Sequence, residues 1–193
     1  MFFRLGPPPD SLSDSEFATG EWRRVPRPPL WVVHVLSLPV GALMALLVLV
    51  AWALLTPRFD VAFESGYKVT VVFASVVLLG MILQISTYPG MGLSNQSVLG
   101  LWPSRLTPYT AHSSKLTKRQ FVATSLLPFA VLSILPLLFV AVLRTSSGWL
   151  IFGSCLAAGI YGTNVVLALP ALRLPANCVV AGRGFQPYWR PSP

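Results

Sequence analysis

Acidic residues are scarce in this chain, and where they stop matters more than how few they are. Six Asp and Glu stand against 14 Lys and Arg, and none of the six lies after Glu64. The whole of 65–193 therefore lacks a carboxylate that could act as general base or help hold a metal. Histidine and cysteine are as thin, two of each: His34, His112, Cys155 and Cys178. A hydrolytic zinc centre needs about three protein ligands and a base, which these residues do not supply at any recognised spacing. Cys155 falls in an apolar run and Cys178 in the tail, which excludes a disulfide framework. The chain also lacks a Gly-rich phosphate loop and a nucleophile-elbow pattern around any serine.

Charge as a whole is scarce too, at 10% of residues against 54% hydrophobic ones, where soluble domains carry about one-quarter charged residues. Four long runs account for this: Trp31–Leu55, Val69–Thr87, Phe121–Leu143 and Trp149–Leu172, each free of Lys, Arg, Asp and Glu. At 1.5 Å rise per residue, each is long enough to cross about 30 Å of hydrocarbon as a helix. The expected fold class is all-α integral membrane, with four transmembrane helices over 31–55, 69–87, 121–143 and 149–172. Domain boundaries follow: a disordered Pro- and Ser-rich N-terminus over 1–29, a membrane domain within 30–190, and a C-terminal tail over 173–193.

The net charge of +8 does not point to nucleic acid, because the basic residues flank the apolar runs rather than forming an aromatic-interleaved patch. They report orientation instead. Eleven lie in the N-terminal segment, the 88–120 loop and the tail; Arg58, Lys68 and Arg144 lie in the two short connections. The positive-inside rule then places both termini in the cytoplasm of a plasma or cytoplasmic membrane. The expected partners are the bilayer, anionic lipids on its cytoplasmic face, and a membrane-protein partner or a second copy of the chain, with no nucleic acid.

Smaller signals fill in the connections. Ser13 and Glu16 have capping-box spacing for one short turn in the N-terminus, and Thr117 caps the third helix. Pro128 and Pro136 predict a bend in that helix. Ser97–Trp102 and Leu106–Thr110 can pair as a small cytoplasmic hairpin, which the tail 177–189 can join as a sheet. Gly153, Ala157, Gly159 and Gly162 allow another helix to approach the fourth span closely. His34, near the cytoplasmic edge of the first span, reads as bonding a carbonyl or headgroup, and His112 reads as a surface residue.

Four segments carry a resemblance. YPGMGLSNQSVLGLWPSR, PYTAHSSKLTKRQF, LLPFAVLSILPL and GIYGTN, in that order, are similar to segments of a family of membrane-embedded putative zincin metallopeptidases, a domain of unknown function. The resemblance covers most of residues 30–190. It implies an H-E-x-x-H helix, in which two histidines at i and i+4 share a face and grip zinc while the glutamate activates the bound water. If the Pro-Gly turn sets the register, those positions fall at Gly80, Met81 and Gln84, and a later carboxylate at Asn164. None of these residues is a zinc ligand or base of that type, so the former site reads as degenerate. No cofactor is expected, and Gln84 and Asn164 are expected to satisfy each other across helices. The rival readings are a working zinc peptidase that recruits His34 or His112, and a small transporter or channel subunit.

Overall fold

An apolar run with no outside partners for its peptide groups satisfies them best within itself, and each of the four runs is helical. In the computed structural model they are α2 (Leu30–Leu55), α3 (Gly66–Ser86), the pair α4 (Lys118–Phe129) and α5 (Leu135–Leu143), and α6 (Gly148–Leu172). The structure describes residues 2–11, 13–26, 28–56, 66–105, 107–143, 147–183 and 186–192. Arg58, Asp60, Glu64 and Arg144 lie outside these. All four helices are long and apolar enough to cross a membrane.

The third is interrupted where its prolines predict. A π-turn over Ala130–Ile134 separates α4 from α5. Pro136 has no N–H for the carbonyl one turn back, and its ring crowds that carbonyl, so a wider turn relieves both problems. Ser154 of α6 donates to the carbonyl of Ser133 within the turn, at 2.9 Å.

The chain divides into two units. The first comprises 31–80 and 125–166, and its regular elements among the described residues are helices. Its core joins Trp52 and Val48 of α2 to Leu137 and Val140 of α5 and Ile151 and Ala158 of α6. A second cluster joins Val76, Ala157 and Tyr161. Small residues set the approach of α2 to α6: a Cβ on Gly41 would stand 2.4 Å from the carbonyl oxygen of Gly159, and one on Gly162 would stand 2.6 Å from Met44. Outward, the helices present large apolar side chains, with Leu38, Leu54 and Val142 about four-fifths exposed.

The second unit comprises 1–30, 81–124 and 167–193 and holds two sheets. β1 (Phe2–Leu5) lies parallel to β3 (Ser97–Trp102), which pairs antiparallel with β4 (Thr107–His112). The loop hairpin is therefore where the sequence placed it. The tail hairpin, β6 (Cys178–Arg183) and β7 (Gln186–Pro191), does not join it. It forms a separate sheet, ordered β2-β7-β6-β5, with β2 (Arg23–Arg24) and β5 (Leu116–Thr117) at the edges. The reason is packing: Val180, Cys178 and Leu174 bury against Val25, Ala171 and Phe121. Thr117 caps α4 as expected, accepting from the Gln120 N–H while Gln120 Oε1 accepts from the Thr117 N–H.

The N-terminal segment departs most from expectation. Rather than forming only one turn, it supplies an edge strand to each sheet and the helix α1 (Asp14–Ala18), whose N-terminus carries the full Ser13–Glu16 capping box. Its acids neutralise basic residues distant in sequence: Asp14 pairs with Arg183 at 2.7 Å, Glu21 with Arg190 at 3.0 Å, and Glu16 with Lys115. Chain composition could not show this, because each pair is over 90 residues apart.

Lys115, with help from Ser13, holds the Glu16 carboxyl below its ordinary value of 4.5. A lowered folded-state value means that the contribution of this contact is fully present above pH 4.5 and is lost as the pH falls through that lowered value. Exchange protection of the α1 amides, corrected for intrinsic rates, should fall across that window in the parent and stay flat in Glu16→Gln. An unchanged profile in the variant would remove Glu16 as the cause.

Candidate functional site

The last two turns of α3 bring together the positions that the resemblance singled out. Gly80 and Gln84, four residues apart, lie on one helix face, and Met81 beside them is buried. Gly80 belongs to the helical unit and Gln84 to the sheet-bearing unit, so each is described with its own neighbours.

At Gly80 the face is closed by a phenol. Tyr161 of α6, 5% exposed, lays its ring on the glycine; its hydroxyl donates toward the Val77 carbonyl at 3.1 Å, with the Val76 carbonyl at 3.4 Å. A Cβ on Gly80 would stand 1.9 Å from that hydroxyl. The glycine is what lets the phenol reach the helix backbone, and no side chain fits at position 80 while Tyr161 is there.

At Gln84 the partner is Thr110 of β4, whose hydroxyl donates to Gln84 Oε1 at 2.9 Å. With its hydrogen used there, Thr110 accepts from Tyr88, 3.2 Å away. Tyr88 is buried, which pushes its phenol above the ordinary range, and the Thr110 bond only partly opposes this. The Tyr88 ring stacks on His112, with centroids 5.1 Å apart. His112 Nδ1 lies 3.0 Å from the Gln96 carbonyl, which can only accept, so Nδ1 carries the proton and Nε2 accepts from Ser114 at 3.1 Å. His112 is therefore 7% exposed and built into a polar chain, which corrects the surface reading. The loop folds back under the end of α3, and sequence spacing does not show that.

His34 is exposed on α2, and its carbonyl accepts from Ser37 at 2.7 Å. Asn164 is half-buried on α6, beside Thr163, which donates to the Ser37 carbonyl at 3.4 Å. Among the described residues no three His, Cys, Asp or Glu side chains converge as a metal site. Glycine, methionine and glutamine at 80, 81 and 84 do not form a zinc donor set, and the Tyr161 phenol fills the space beside Gly80. The residues present do not fit the metal. Sequence reasoning missed Tyr161 and Thr110. A tyrosine among the glycines of GIYGTN was the only available hint, a polar tip in an otherwise apolar segment.

A family model described as "Putative zincin peptidase" matches residues 73–179, more than half of the chain. No curated protein and no solved structure matches it.

Proposed function

The chain belongs to the family of putative zincin peptidases, and from that premise we propose that it is a multi-pass membrane protein that has lost the family's hydrolytic centre and acts by binding or scaffolding. The observation that carries this reading is the closure of the α3 face, where the Tyr161 phenol lies against Gly80 and Gln84 is bonded to Thr110. A face filled by the chain's own side chains is a packing surface. The acid-free stretch 65–193 supports the same reading, since no carboxylate there could serve as base.

The membrane placement is supported by four helices of sufficient length and by the large apolar side chains they turn outward. The eleven-to-three division of basic residues supports a cytoplasmic position for both termini and contact with anionic headgroups. Gln84 and Asn164, each half-buried, are neutral amides where the resemblance implies a ligand and a carboxylate, which agrees with this reading.

Metal content tests the proposal. Protein purified without chelators should contain substoichiometric zinc, unchanged by His34→Ala or His112→Ala, and should not cleave peptides in nanodiscs. Stoichiometric zinc that is lost in either variant would establish a working metallopeptidase with an unusual site.

A further inference from the structure

The edge strand β1 of the β1-β3-β4 sheet is exposed on both faces, with Phe2 46% exposed on the side of Arg4, and the other face carries the larger share of uncovered apolar side chains. Directly paired residues point to the same side of a sheet. Phe3 pairs with Leu99 and Leu5 with Leu101, while across the hairpin Leu99 pairs with Thr110 and Leu101 with Pro108. One face therefore carries Phe3, Leu5, Leu99, Leu101, Pro108 and Thr110. Thr110 bonds Gln84, so the last turn of α3 rests on one end of this face. At the other end Phe3 is 61% exposed, Leu5 66% and Leu101 36%. Arg4, between Phe3 and Leu5, projects from the opposite face.

The turn that follows α3 shows the same feature independently. Over Pro89–Gly92 the backbone takes positive φ at Gly90, Met91 and Gly92 in succession, 65°, 53° and 73°. A positive φ is strained for methionine, yet Met91 is 71% exposed, as is Leu93 two residues on, at 80%. The turn is pinned to the helix end, since a Cβ on Gly92 would meet Ile85 at 2.1 Å.

We infer that this sheet face and the Met91–Leu93 turn form a second membrane contact, an apolar platform seated in the headgroup and upper acyl layer beside the end of α3. The inference rests on the membrane reading proposed above. If α3 crosses the bilayer, its 21 residues bring its last turn to the boundary, and a sheet face bonded to Gln84 lies at that level. Aromatic and aliphatic side chains with a flanking arginine suit this layer. A strand-adding peptide is a poorer occupant, because it would pair with backbone groups at the outer edges of β1 or β4, whereas the exposed apolar side chains of Phe3, Leu5 and Leu101 project from a face. The platform would fix the depth and tilt of the sheet-bearing segment against lipid.

Single cysteines carrying an environment-sensitive fluorophore test this in the full chain with Cys155 and Cys178 replaced by alanine, reconstituted in phosphatidylcholine–phosphatidylglycerol vesicles. Labels at Phe3, Leu5, Met91 and Leu101 should be quenched several-fold more by lipids with a nitroxide near the headgroup than by aqueous iodide, and a label at Arg4 should show the reverse. Leu46, exposed on α2, should respond to a nitroxide deep in the acyl chain. Platform labels that behave like Arg4 while Leu46 stays deep would overturn this inference alone; an aqueous Leu46 would overturn the membrane reading as well. Labels shielded from both quenchers in proportion to protein density would mean that a second copy covers the face, which also overturns it. Benzoylphenylalanine at Phe3 or Arg4, with the native cysteines retained, gives a second measurement: lipid adducts should form several-fold more from position 3, and equal yields would refute the platform.

Discussion

Gly80→His is expected to destabilise the protein by at least the ~1–3 kcal/mol typical of an overpacked core. An imidazole at position 80 must displace the Tyr161 phenol, whose oxygen lies 1.9 Å from where the Cβ would be, and must break the bond from that phenol to the Val77 carbonyl. Tyr161→Ala alone is also expected to destabilise, since it removes a buried ring from the cluster with Val76 and Ala157. The two changes should not add. In the double variant the imidazole enters the space that the ring vacates, and a double-mutant cycle followed by detergent denaturation should give a favourable coupling. A Gly80→His variant as stable as the parent would show that the phenol yields easily and does not close the face. An H-E-x-x-H sequence written onto α3 with its first histidine at 80 should not by itself bring stoichiometric zinc, because the space beside position 80 is filled from α6.

The second large effect concerns the contact between α2 and α6. Gly41→Ala should cost about 1–3 kcal/mol, because its methyl would meet a backbone oxygen, that of Gly159, at 2.4 Å. A backbone atom in a packed helix cannot swing aside as a side chain can. Gly66→Ala, with nothing within 4 Å of the added carbon, is the matched control and should be neutral. Equal stability of the two variants, measured by the same denaturation, would show that the small-residue contact contributes little. Within this unit, close approach in membranes relies on such residues because apolar side chains gain nothing from leaving lipid for each other.

Much of the fold was legible because its main signals are local. Run length and the absence of charge located four helices to within a few residues of their ends. Pro128 and Pro136 marked the interruption now seen as a π-turn, and the Ser13–Glu16 and Thr117–Gln120 spacings marked two helix starts. The β3–β4 hairpin could be read from two extended pieces around Pro103-Ser104. What could not be read was long-range. The N-terminal segment looks too polar and proline-rich to order itself, yet it pairs with strands of both sheets and its acids meet Lys115, Arg183 and Arg190, all distant in sequence. His112 looked like a loop histidine because nothing near it in sequence shows that Tyr88 stacks on it.

The candidate site divides in the same way. That positions 80, 81, 84 and 164 lack a zinc ligand set is a property of residue identity, evident before any coordinates. Composition alone determined that the stretch 65–193 offers no acid, and periodicity was not needed to find helices whose every face is apolar. Only the tertiary structure decided what packs at these positions: a tyrosine from α6 against Gly80, and a threonine from β4 on Gln84. The physical reason is that side-chain chemistry is carried by each residue, whereas the filling of a space depends on which atoms from distant segments arrive there, and close packing leaves no gap unfilled.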